Sequence, residues 1–437
     1  MRTRVSVALE GVSARLLDVS IANGSAPFLA ELRDRSSPFY KNKLNNDQAF
    51  FGAAATAWPT TSVSNHASIL TGVPSAEHRV LQPADVPRCD TQLSDVAKSN
   101  DTRVVVVTNS YDNNTLAALF KDVEVRRVGA FDATAGWMPP SLGGSSSGEI
   151  RRWHDPLRHA CDIAQTHAFD ADDTRPLWLH VMASCDYYDS KDSTSYEEHR
   201  LMPRIYAMDR WLQKLESAGV KTLMGVTTTH GAAERAPRPS HIVDVDQVLQ
   251  QAWSDATQFE QYSHVHARTI NKRSSSNTGT ITVPYKIGNR VGTLAFRTVV
   301  YPTTSLCSFM CVSFVPDKDA DPGLYSTLLS SAMSVLRNTK GIYAVLTPKD
   351  AAASFLMPED VLGDFVVIAD ADVGLRDTVR AGCVDWGLSQ AGGCVDDADG
   401  FLAINAPLTK EYKKRLSKGA GARTFNLIDA LRNGVIE

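Results

Sequence analysis

No apolar run in this 437-residue chain approaches the roughly 20 residues needed to cross a bilayer, which excludes a helical membrane span. A basic stripe is also missing. The 45 Lys and Arg against 49 Asp and Glu leave a formal charge of −4, with the signs mixed along the chain. Nucleic acid is therefore not implied as a partner. Cysteine is sparse: Cys89, Cys161, Cys185, Cys307, Cys311, Cys383 and Cys394 are odd in number, scattered and without metal-type pairing. They read as reduced, buried thiols in a cytosol-like compartment. No internal repeat is present. Met1-Arg-Thr-Arg runs straight into Val5-Ser-Val-Ala-Leu-Glu, which leaves no room for a signal peptide and predicts a cytoplasmic protein.

What the chain does have is an ordinary globular composition, with 43% apolar and 22% charged residues. Its length is sufficient for one large core and a smaller inserted domain. Short apolar runs alternate with amphipathic stretches, the pattern of an α/β domain with a mainly parallel sheet. The expected strands are Val5–Leu9, Val104–Thr108, Pro176–Met182 and Thr222–Thr227. Between the last two, Ile205, Met208, Leu212 and Leu215 recur at helical spacing, with Gly219 placed as the stop. From about residue 251 the texture changes. Thr278–Ile287, Arg290–Tyr301 and Ser308–Val315 alternate like antiparallel strands, followed by a helix Tyr325–Arg337 and a strand Ile342–Leu346. The expected organisation is an α/β core over 1–250 and 349–437 with an inserted α+β cap over 251–348. Asp364–Ala369 is the return to the main sheet and Leu427–Asn433 the closing helix.

The most distinctive stretch is Trp58-Pro-Thr-Thr-Ser-Val-Ser-Asn-His-Ala-Ser-Ile-Leu-Thr-Gly72-Val-Pro. With Glu10-Gly-Val, Ala26-Pro-Phe-Leu-Ala-Glu-Leu32, Asp186-Tyr-Tyr, the helix through Met208-Asp209, Thr227-Thr-Thr-His-Gly231, Gly363-Asp-Phe-Val-Val and Gln390-Ala-Gly-Gly393, it makes the whole chain resemble the alkaline phosphatase superfamily. The branch it is most similar to is the phosphonoacetate hydrolases, with the nucleotide pyrophosphatase/phosphodiesterases next. The resemblance implies an alkaline-phosphatase-like fold, a mainly parallel sheet sandwiched by helices with a small cap. It also implies an ancestral chemistry in which two zinc ions about 4 Å apart activate a nucleophile.

Carried over residue by residue, that chemistry is incomplete. The first zinc site falls on Glu10, Ser62, Thr229 and His230. Ser62 takes the nucleophile position and Glu10 and His230 retain donors, but Thr229 cannot supply a carboxylate's charge. At the second site Asp186 survives, while the two histidine positions fall on Ser190 and Ala391. Pro83 stands where a phosphate-contacting Asn is expected, and Ser110 and Asp112 where lysines would hold a substrate carboxylate. Arg79 replaces a permissive Gly and predicts a changed loop shape. Asp186, Asp189 and Asp192 read as a solvated acidic loop, His66 as a packing residue and Cys185 as a buried thiol.

The expectation is a pseudoenzyme with no zinc or other cofactor. It is retained as a structural or docking component among other proteins, in a cytoskeletal or other large assembly. Two alternatives stay open. One is a hydrolase of phosphate or sulfate esters with a remodelled one-metal site using Glu10, Ser62, Asp186 and His230. The other is a module that binds a small ligand in the old pocket without turnover. For Ser62 itself, the alternative to a nucleophile is a hydroxyl closing the first turn of the following helix.

Overall fold

A computed structural model describes residues 3–37, 48–81, 85–99, 101–109, 118–120, 123–128, 154–170, 172–183, 198–218, 222–231, 242–254, 280–287, 290–300, 308–315, 322–370, 373–376, 398–418 and 421–436. The chain divides into two compact units, Met1–Ala232 with Asp396–Glu437, and Ala233–Val395. Strands β1 (Thr3–Glu10), β2 (Phe50–Ala55), β3 (Arg103–Thr108), β4 (Glu124–Arg127), β5 (Leu177–Ala183) and β6 (Thr222–His230) lie in the first unit. The second unit holds β7 (Ile242–Asp244), β8 (Thr280–Ile287), β9 (Arg290–Val300), β10 (Phe309–Val315), β11 (Ile342–Leu346), β12 (Phe365–Ala369) and β13 (Gly374–Arg376). The chain then re-enters the first unit as β14 (Asp399–Ile404).

The sheet of the first unit runs β2-β14-β6-β1-β5-β3-β4. The pairs from β6 through β4 are parallel, and β14 lies antiparallel to both β6 and β2. Strand alternation explains its two buried faces. Val5, Val7 and Leu9 of β1 face a layer formed by Leu16, Leu17, Phe28, Leu29, Met208 and Leu212. Ala8, Trp178 and Met182 face the other way, against Val63, Ala67, Ile69, Leu70, Leu427 and Leu431. Strands covered on both sides read as continuous apolar runs, which is why β1, β3, β5 and β6 were visible in the sequence. The expected helical face also forms: Ile205, Met208, Leu212 and Leu215 are all fully buried on the helix Glu198–Glu216. Gly219 lies outside the described residues.

The division of the chain differs from the sequence expectation. β12 does not return to the main sheet. It pairs antiparallel with β10 and β11 in a five-stranded sheet, β11-β12-β10-β9-β8, inside the second unit. An all-apolar strand such as Phe-Val-Val-Ile-Ala carries no mark of which buried sheet it joins. The second unit therefore begins and ends beyond the expected limits of 251 and 348. The strands that sequence reasoning passed over were β2, rich in Ala and Gly, the short charged β4, the three-residue β7 and β13, and β14.

One buried charge ties two helices together. Helix Pro27–Ser36 starts at Ala26, which offers no side-chain cap. Asp209, fully buried on the helix Glu198–Glu216, accepts hydrogen bonds from the Phe28 and Leu29 backbone N–H groups at 2.8 and 2.9 Å. Burial lifts its pKa to about 6, against the lowering effect of those two bonds and of Arg210. Asp209→Ala leaves both amides buried without the carboxylate, so a loss of about 2 kcal/mol is expected in urea denaturation. A midpoint equal to wild type would remove the capping role. Among the described residues no helix is long and apolar enough to cross a membrane.

Candidate functional site

The C-terminal ends of neighbouring parallel strands are where an α/β sheet presents its binding groups. Here β1 ends at Glu10 and β6 at His230, the two being register partners across a bulge between Leu9 and Glu10. The Gly11 N–H donates to the His230 carbonyl at 3.0 Å. Helix Ser62–Thr71 brings its first residue to the same point.

The loop before that helix is held by Asn65, which is fully buried. Its Oδ1 accepts from the Ala57 N–H at 2.7 Å, and its Nδ2 donates to the carbonyls of Ala57, Pro59 and Thr61 at 3.0, 3.2 and 3.1 Å. Ser75 Oγ, at the start of the next helix, donates back to the Trp58 carbonyl. Gly72 ends the helix in the left-handed region at φ 75°, where a Cβ would lie 2.1 Å from the Gln92 amide. The loop after it also keeps a left-handed turn, with Arg79 at φ 66°. Arg79 adopts the conformation that glycine favours, because the turn is pinned on either side. The Arg79 N–H bonds Ser75 O at 2.9 Å, and His78 accepts from the Val80 N–H at 2.9 Å while bonding Ser68 Oγ at 2.7 Å. Arg79→Gly is expected to stabilise the protein by about 1 kcal/mol, read from thermal midpoints.

Ser62, Glu10 and His230 converge. Ser62 Oγ donates to Glu10 Oε1 and lies 2.9 Å from His230 Nε2, with Nε2 3.7 Å from Glu10 Oε1. Thr61, not Ser62, is the N-cap residue, so the Ser62 hydroxyl is not the turn-closing group considered from the sequence. Hydrogen bookkeeping gives one consistent arrangement. Ser62 has a single proton and commits it to the carboxylate. With His230 as the doubly protonated imidazolium, Nε2 then donates to Ser62 Oγ and Nδ1 to the Gly231 carbonyl beside it. Burial would raise the Glu10 pKa, but the bond and charge of His230, the Ser62 hydroxyl and the nearby His66 outweigh it and hold the group at about 2. Thr229 is fully buried and its hydroxyl turns to the Leu9 carbonyl at 3.4 Å. Thr228 bonds the Leu9 and His230 carbonyls at 3.1 and 3.0 Å.

Behind this cluster lie two more buried histidines. His66 packs inside as expected; burial takes its pKa to about 4, Glu10 raising it and His230 lowering it further. His180 escaped sequence reasoning. It is fully buried on β5, pairs in register with Ser6 on β1, and takes the Ser6 hydroxyl at 2.8 Å on Nδ1, while Trp178 Nε1 donates to Ser6 Oγ at 3.1 Å. Burial and then the charge of His66 push it down to about 3. The available signal was a lone His inside Leu-Trp-Leu-His-Val-Met, opposite a lone Ser in β1. Asp186, Ser190, Ala391, Pro83, Ser110 and Asp112 lie outside the described residues.

No family model matches the chain, and no curated protein matches it. Solved structures do. Phosphonoacetate hydrolase from Sinorhizobium meliloti 1021, in complex with phosphonoformate, superposes with a TM-score of 0.59 at 18% identity, covering 98% of this chain and 95% of that one. The same enzyme with phosphonoacetate gives the same values. Human ectonucleotide pyrophosphatase/phosphodiesterase 5 matches with a TM-score of 0.52 at 10% identity, over 100% of this chain and 96% of that one. The fold is that of the alkaline phosphatase superfamily.

That fold implies zinc, and the donors present can be tested against it. Zinc takes four ligands, with carboxylate, imidazole or thiolate to balance its charge. The described cluster supplies one carboxylate, one imidazole and a neutral hydroxyl, and the Thr229 hydroxyl is committed to a backbone carbonyl. Among the described residues no three His, Cys, Asp or Glu side chains gather as a metal site needs. Among the described residues the donor set does not fit a resident zinc of the two-metal type.

Proposed function

We propose that this chain is a pseudoenzyme of phosphohydrolase ancestry, a fold retained for docking to other proteins and not for turnover. One observation carries the reading. Ser62 gives its only proton to Glu10, a carboxylate whose pKa of about 2 makes it a poor base, while the ring nitrogen facing Ser62 is itself a donor in the imidazolium form that this bonding requires. A serine nucleophile needs an acceptor strong enough to take its proton, or a metal to lower its pKa. The cluster provides neither.

A second reading has one observation in its favour. Glu10, Ser62 and His230 do converge, as a one-metal hydrolase would require. Metal analysis of the purified protein, with phosphodiester, phosphomonoester and phosphonoacetate hydrolysis measured beside Ser62→Ala, separates the two. The pseudoenzyme reading expects substoichiometric zinc and no rate above that of the variant. Stoichiometric zinc with hydrolysis lost in Ser62→Ala would overturn it.

A further inference from the structure

The misfit with zinc raises the question of what holds the three converging segments together. We infer that Glu10, Ser62 and His230 form a metal-independent tie, in which shared protons do the mechanical work that an ion does where strand ends meet around a metal. This rests on the pseudoenzyme reading and deepens it.

Three segments from distant parts of the chain end at the cluster: β1, helix Ser62–Thr71 and β6. The hydroxyl of Ser62 bridges a carboxylate and an imidazole whose nearest atoms stand 3.7 Å apart, so it occupies the bridging position itself. The surrounding bonds reinforce this geometry. Gly11 N–H to the His230 carbonyl, Thr228 to the Leu9 and His230 carbonyls, and Thr229 to the Leu9 carbonyl stitch β1 to β6 across their bulge. Glu10 and His230 are 15% and 7% exposed at their side chains, so these charge-assisted bonds act with little competition from water. Thr229 follows from the same arrangement. A carboxylate there would bring a second negative charge against the Leu9–Glu10 peptide, whereas a threonine hydroxyl donates to it.

Thermal melting of the full-length protein tests the tie. Wild type is expected to show the same Tm with added zinc, with EDTA and with neither. Ser62→Ala removes the bridge and is expected to lower Tm by about 3 °C, while Ser62→Thr, which keeps the hydroxyl, stays within about 1 °C of wild type. A wild-type Tm raised by zinc or lowered by EDTA overturns the tie, and so does a Ser62→Ala Tm equal to wild type. The zinc and EDTA arms need no variant, so they decide the matter even if Ser62→Ala does not fold. The two readings fail separately. Hydrolysis by a protein whose Tm ignores zinc sinks the pseudoenzyme reading and leaves the tie standing, and a zinc-dependent Tm without hydrolysis does the reverse.

Discussion

Replacing Asn65 with aspartate is expected to destabilise the protein by about 4 kcal/mol at pH 7, well beyond the roughly 2 kcal/mol expected for alanine. The two side chains are nearly isosteric, so the difference is electrical. In the native loop Oδ1 accepts from Ala57 N–H and Nδ2 faces the carbonyls of Ala57, Pro59 and Thr61. Aspartate would set an oxygen against three carbonyl oxygens in a fully buried position. A protonated Asp could still donate to one of them. Holding that proton at pH 7, about three units above its ordinary pKa, costs about 4 kcal/mol. Alanine loses the bonds and leaves Ala57 N–H buried, but introduces no repulsion. Urea midpoints of the two variants at pH 7 and pH 5 check this. Equal losses for Asp and Ala, or an Asp variant that gains nothing relative to Ala on acidification, would show that the loop is not held in this way.

The second large effect is acid lability beginning near pH 6.5. His66, His78 and His180 are buried, and burial takes their pKa values to about 4, 4 and 3 in the folded protein. The unfolded chain therefore binds protons first as pH falls. The stability these groups contribute is complete above their unfolded pKa of about 6.5 and is lost on the way down to about 4. Each costs about 1.4 kcal/mol per pH unit over that range. Asp209 runs the other way. Its folded pKa of about 6 lies above the unfolded value, so between those two values it returns about 1.4 kcal/mol per pH unit. The net loss is about 3 kcal/mol per pH unit below pH 6, and two such units rival the whole stability of an ordinary domain. Glu10 adds its own loss below about pH 4.5, the unfolded value from which it has been lowered. The geometry agrees. Protonating His78 removes the acceptor for Val80 N–H. A Tm that stays level between pH 7 and pH 5 would refute this, and His180→Phe should flatten the slope below pH 6 by about half.

Both effects turn on polar groups whose importance the sequence showed unevenly. The fold was largely legible, because parallel strands covered on two faces produce apolar runs such as Val104–Val107 that little else in a chain imitates. Asn65 and His66 stood inside a recognisable motif, so their neighbourhood was visible but not Asn65's four hydrogen bonds. His180 was passed over because one imidazole in an apolar strand has no pattern around it. The left-handed backbone of Arg79 was hidden for a different reason. Backbone preference is a local quantity, and the bonds that hold Arg79 at φ 66° come from Ser75 and from the pinned His78 beside it.

The sequence by itself determined the α/β class and the superfamily whose fold this chain shares. Those follow from residue types at given positions. The tertiary structure alone decided that β12 belongs to the second unit and that the Ser62 hydroxyl bridges Glu10 and His230, which lie 52 and 168 residues away in the chain. Strand partners and proton sharing depend on which atoms come within 3 Å of one another. A list of residues specifies the donors and acceptors, but only the folded backbone sets the distances between them.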